Sequence, residues 1–166
     1  DRVVEDEVEV AEELRRRGFK GYIHLRLMPG VSRGLVWRAA MVADRIGVNV
    51  ETIGPSEFSD IAPSKGDWRT DIIKRLEWAV QAYRRLRGEG RLRAGVSTQL
   101  MVGVVGESDR EILGLVERLY RLGLRRIFFR AIFLPRYICS SPRTSTPLSI
   151  PHHIPAFHPP PPLSQI

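Results

Sequence analysis

Few folds accommodate the stretch STQLMVGVVGESDRE at residues 97–111. Leu100, Met101, Val102, Val104 and Val105 form a short apolar run bounded by turn signals, as a strand buried in a parallel sheet requires. Gly103 and Gly106 remove side chains where that strand stops, so a ligand or another backbone can approach closely. Ser108 followed by Glu111 is a capping-box pattern, which starts a helix running to about Leu122. Strand, glycine turn and helix start together predict a ligand site at the carboxyl edge of an α/β sheet.

The segments on either side repeat this alternation. Val3, Val4, Val8, Ala11 and Leu14 stand at helical spacing over residues 3–17, with acids early and three arginines last, as the helix dipole favours. GYIHLRLM at 21–28 alternates strictly, with Ile23, Leu25 and Leu27 on one face and Tyr22, His24, Arg26 and Met28 on the other. Pro29-Gly30 ends that strand, and Ser32 caps a helix predicted over about 33–46. VNVETI at 48–53 reads as the second strand, directing Val48, Val50 and Thr52 one way and Asn49 and Glu51 the other. After a short helical turn at 56–62 and a loop through Pro63 and Gly66, the longest helix covers 67–87. Its stripe is Trp68, Ile72, Leu76, Ala79, Val80 and Tyr83. The strand at 97–104, its helix, and a fourth strand, RIFFRAIFL at 126–134, complete the pattern. Strands and helices alternating at this spacing predict the α/β class, with a parallel sheet and right-handed crossovers.

Polar side chains in otherwise apolar strands mark the candidate site. His24 and Arg26, then Asn49 and Glu51, then Gln99 fall at matching depth on three strands. Burying such groups is costly without partners, so Arg26, Asn49 and Glu51 are read as site residues. A self-satisfied polar layer, such as an Arg26–Glu51 salt bridge, is the structural alternative. For His24 alone, simple packing is the preferred reading.

At 166 residues the chain has room for one domain with a real core. No run approaches the about 18 apolar residues of a membrane span, and the charged first residues do not resemble a secretory signal. A cytoplasmic protein without a membrane partner is expected. The single cysteine, Cys139, excludes an internal disulfide framework and a self-sufficient cysteine metal cluster. Net charge is +7, and of 26 basic residues only Lys20, Lys65 and Lys74 are lysines. Arginine pairs bidentately with phosphate, which admits a nucleic-acid partner. Against that, arginines scattered among 19 acids also follow from a GC-rich coding sequence.

Three segments in order, GYIHLRLMPG, ADRIGVNVE and STQLMVGVVGESDREIL, resemble the radical SAM superfamily, and within it the subgroup associated with DNA modification or repair. The resemblance covers roughly residues 1–134. It implies the carboxy-terminal part of a (βα) barrel of the radical SAM type, about four parallel strands with intervening helices, where a complete core has about six such units. It further implies that S-adenosylmethionine lies across the carboxyl edge of the strands. Arg26, Asn49 and Glu51 would approach its ribose and amino acid, with Met101 and Gly103 against the adenine. Glu107 matches the glutamate of the family's glycine-glutamate turn and is expected to support the helix start. The family's Cys-x-x-x-Cys-x-x-Cys loop, whose thiolates hold a [4Fe–4S] cluster, is absent from this chain. The cluster is therefore expected only in an intact parent, and a fragment without the amino-terminal half of the barrel should be poorly stable alone, with an open edge at 21–28.

Residues 136–166 break the pattern. They hold eight of the 12 prolines and no Asp or Glu, and they are expected to be disordered with a polyproline II tendency at 159–162. The composition change at Leu134 suggests a frameshift or gene-model artefact, or else a proline-rich docking tail. His152, His153 and His158 are read as adventitious rather than as a metal site. Two rival functions stay open: a basic α/β nucleic-acid-binding module, or a fragment of another α/β-barrel enzyme that binds a phosphorylated metabolite at the 103–108 turn and helix N-terminus.

Overall fold

Alternation of apolar residues commits one side of each strand to a covered face, and the helices supply the cover. The structure, a computed structural model, describes residues 2–131. The expectations for residues 132–166, including the tail, Cys139 and the three histidines, lie outside the described residues. Helix α1 (Arg2–Arg16) precedes β1 (His24–Arg26), α2 (Arg33–Val42) and β2 (Arg45–Gly47). Next come α3 (Pro55–Ile61), a π-helical turn (Trp68–Ile73) running into α4 (Lys74–Leu86), then β3 (Gly95–Val102), α5 (Asp109–Leu122) and β4 (Arg126–Ala131).

The four strands form one sheet in the order β1-β2-β3-β4, every pair parallel. This is the α/β class with about four parallel strands, as expected. In-register pairs share a face, so Arg26, Gly47, Ser97 and Arg126 lie on one side and Leu25, Ile46, Val96 and Ile127 on the other. The second side is the core: Ile23, Leu25, Leu27, Ile46, Val48, Val50 and Leu100 are buried with Val4, Val8 and Ala11 of α1, Val36 and Ala39 of α2, Leu76 and Val80 of α4, and Leu115 and Leu119 of α5. The first side stays open over the outer strands, where His24, Arg26, Phe128 and Arg130 are exposed. Among the described residues no helix is long and apolar enough to cross a membrane.

Two boundaries and one helix face differ from expectation for physical reasons. Helix α2 stops at Val42 rather than about 46, because Asp44 is drawn into a buried hub. Its carboxylate accepts from the Ile23 N–H (2.9 Å), Arg15 Nη2 (2.7 Å), and Arg93 Nε and Nη2 (3.1 and 2.8 Å). The second strand accordingly ladders at Arg45–Gly47, three residues earlier than VNVETI. Gly47 is needed there, since a Cβ would stand 2.7 Å from the Ser97 carbonyl oxygen. Beyond it the Thr98 hydroxyl takes over the ladder, donating to the Val48 carbonyl (2.6 Å) and accepting from the Val50 N–H (3.0 Å). Within α1, Val4, Val8 and Ala11 are buried as expected, but Val3 (64% exposed) and Leu14 (39%) turn outward. With Val10, Ile23 and Leu25 they line an apolar groove of about 450 Å³ beside β1. The stripe expected on 67–87 is buried from Trp68 to Val80, with Tyr83 half-buried.

Candidate functional site

Parallel pairing places the polar residues of three adjacent strand segments in one row at their carboxyl ends. Arg26, exposed at the end of β1, donates from Nη1 to Asn49 Oδ1 (2.9 Å) and to Gln99 Oε1 (3.5 Å). Both acceptors are neutral amides. Among the described residues Arg26 has no ion-pair partner, so its charge and the Nε/Nη2 edge of the guanidinium remain free for a bidentate anion. Asn49 in turn donates from Nδ2 to Glu51 Oε1 at 3.5 Å.

Glu51 is the unusual member. Its φ of +63° lies in the left-handed region, which a side chain with a Cβ enters only at a cost. The neighbouring strand holds it there. Its N–H donates to the Gln99 carbonyl (3.1 Å) and its carbonyl accepts from the Met101 N–H (2.8 Å), making an isolated bridge beside β3. The carboxylate is buried and is paired with Lys65, whose Nζ lies 2.7 Å from Oε1. The Arg26–Glu51 salt bridge, the structural alternative to a ligand site, is not formed; Glu51 pairs with Lys65 instead. With Oε1 taken twice, Oε2 has no hydrogen-bond partner among the described residues. Lys65 also borders a cleft of about 330 Å³ with Met28, Pro29, Gly30, Ser64, Gly66 and Asp71, at the carboxyl end of β1.

The glycine turn is built differently from expectation. Gly103 and Gly106 have φ of +80° and +73°, and a Cβ at either would meet nothing within 4 Å, so the turn faces open space. Glu107 does not hold the helix start. It reaches back to accept from the Gly103 N–H (2.5 Å) and the Val105 N–H (3.1 Å). Burial pushes its carboxyl up, but these donors and its own N–H outweigh burial and hold it below the usual glutamate range. Helix α5 is capped by Ser108 and Glu111, the expected capping box. The turn's N–H groups therefore serve the chain's own carboxylate, which removes donors that a phosphate would need there.

The structure brings Arg26, Asn49, Glu51 and Gln99 together and ties Met101 to Glu51 through the backbone. Gly103 follows two residues beyond Met101. His24 stands 3.5 Å from the Ser97 hydroxyl, lower on the same face. Burial, then the Arg26 and Arg45 charges, push its imidazole below the ordinary range, which favours the neutral form. Lys65 was not foreseen, and no spacing announces it. Its rarity as one of three lysines is the single clue. Among the described residues, no group of three His, Cys, Asp or Glu side chains is placed to hold a metal ion. Comparison with protein-family models, with curated proteins and with solved structures finds no match to this chain.

Proposed function

We propose that the chain is the carboxy-terminal part of a radical SAM (βα) barrel, and that the carboxyl edge of its sheet binds S-adenosylmethionine. The observation that carries this reading is the hydrogen-bonded row Arg26–Asn49–Glu51, drawn from β1 and the segment that follows β2, at the edge of a sheet wound in one direction and covered on one face. A doubly wound sheet reverses its strand order and carries helices on both faces; a barrel segment does neither. The donor set suits the ligand. The free edge of Arg26 matches an amino-acid carboxylate, Glu51 Oε2 matches ribose hydroxyls, and Met101 with the bare Gly103 turn offers an apolar surface for adenine.

The [4Fe–4S] cluster does not fit this chain. Three thiolates are required and one cysteine is present, so no radical step is assigned to these residues. Cluster chemistry, with nucleic-acid modification or repair as its candidate outcome, is proposed for an intact parent only. Isothermal titration of the chain with S-adenosylmethionine tests the reading. Saturable binding that Glu51→Gln weakens on the order of tenfold is expected, since one charge-assisted hydrogen bond is lost. Equal affinity in both proteins, or no binding, would return the row to a purely structural role.

A further inference from the structure

The open face of the sheet carries a second pattern, level with the Arg26–Glu51 row but further across, on β4. On β4 the alternate residues Arg126, Phe128 and Arg130 pair in register with Ser97, Gln99 and Met101, so they share the face that Arg26 occupies. All three are exposed, Phe128 to 41%. Neither arginine has an ion-pair partner among the described residues. Charge along the chain explains why. Every one of the 19 acidic residues lies at or before Glu117, where an equal number of basic residues balances them, so the net charge of +7 belongs to residues 118–166. Among the described residues Glu51 is paired with Lys65, and Glu107 is taken up by the amides of its own turn. Uncompensated guanidinium groups on an open surface attract a polyanion.

The aromatic between them narrows the class. Residues i and i+2 of a strand are about 6.6 Å apart, close to the repeat of an extended polynucleotide. Arg126 and Arg130, four residues and so about 13 Å apart, flank the exposed ring and can hold phosphates about two nucleotide steps apart with a base stacked between them. A second ring, Tyr22, stands 56% exposed beyond β1, with the Arg45 guanidinium 5.8 Å from its centroid. A four-stranded sheet is about 14 Å across, too broad to enter a duplex groove about 12 Å wide. We propose that this face binds single-stranded nucleic acid, with Arg126, Arg130 and Arg26 on the phosphates and Phe128 under a base. Arg26 is shared with the S-adenosylmethionine row of the proposed function, whereas Arg126, Phe128 and Arg130 lie outside that row, so substitutions at these three report on nucleic-acid binding alone.

Fluorescence anisotropy of the full chain with labelled oligothymidylate and oligouridylate, over a salt series, tests it. Three phosphate contacts predict a slope of log affinity against log salt of about −2. Arg126→Ala with Arg130→Ala should flatten the slope to about −0.7. Phe128→Ala should weaken binding roughly tenfold with the slope unchanged, and Phe128→Tyr should retain it. Helix-side Arg85→Ala with Arg110→Ala should leave binding as it was. Preference for one of the two probes would identify DNA or RNA as the strand. No binding at about 50 mM salt would overturn the proposal. So would equal loss in the helix-side variant, or indifference to Phe128→Ala with full displacement by heparin, which would mark a generic polyanion surface. S-adenosylmethionine titrated in parallel reports separately on the cofactor site.

Discussion

Replacing Glu51 by glycine and, separately, by alanine isolates the backbone conformation from the side chain at the centre of the site. Both variants remove the Lys65 pair and the buried methylenes; they differ in whether a Cβ must sit at φ +63°. A non-glycine residue in that region costs roughly 1–2 kcal/mol. Glycine is freer in the unfolded chain, which returns about 0.5–1 kcal/mol of that advantage. The glycine variant should therefore be more stable than the alanine variant by about 1 kcal/mol. That is the reverse of the usual ranking in a strand or helix interior, where alanine leads. Lys65 is 42% exposed, so the lost ion pair contributes at most about 1 kcal/mol to both. Equilibrium urea unfolding measures the difference, and a thermal scan should show it as a gap of about 2–4 °C. An alanine variant as stable as the glycine variant would refute the left-handed assignment, and with it the claim that strain is held at this position. Both variants should lose S-adenosylmethionine binding, whatever their order of stability.

Two further substitutions test the supports of the fold. Asp44→Asn should destabilise by about 2–3 kcal/mol, since it weakens charge-assisted bonds to half-buried Arg15 and to the more exposed Arg93. Burial raises the Asp44 carboxyl, but the Ile23 N–H, Arg93 and Arg15 outweigh it and the net shift is downward. Its contribution is thus present above about pH 4, the unfolded value, and is lost as pH falls through the folded value. Urea midpoints at pH 7 and pH 3 should show the Asn variant converging on the wild type in acid; a constant gap would contradict this. Glu107→Gln should cost about 1–2 kcal/mol and speed hydrogen exchange at the Gly103 and Val105 amides, with the same sign of pH dependence because its folded pKa is also lowered. Unchanged exchange at those two amides would show that the carboxylate does not hold the turn.

Local chemistry was the legible part. The strict alternation of residues 22–28 assigns both faces of β1, and Ser108 with Glu111 marks the start of α5. The match of Arg26, Asn49 and Gln99 in depth followed from parallel strands carrying polar residues at equal steps. Most of what escaped depends on contacts between distant segments. Asp44 looks like an ordinary helix-end residue until Arg15 and Arg93 arrive from 29 and 49 positions away. The Thr98 hydroxyl replaces ladder bonds that VNVETI alone was expected to make. Glu51 has the composition of a strand residue, and only the pairing of its N–H and carbonyl with β3 forces the left-handed turn. Glu107 reads as a helix-start acid, yet four residues back the bare Gly103 amide offers a better partner. In each case the intrinsic preference was visible and another hydrogen bond overrode it, from a distant segment for Asp44, Thr98 and Glu51 and from the local turn for Glu107.

The most direct measurement is amide chemical-shift mapping of the isotopically labelled chain during titration with S-adenosylmethionine. Binding at the carboxyl edge predicts saturable shifts at Arg26, Asn49, Glu51, Met101 and Gly103, with Arg45 and Gly95 at the opposite end of the sheet unmoved. Shifts confined to the amino end or to the helix layer, or no saturable shift at all, would contradict a cofactor site on this edge.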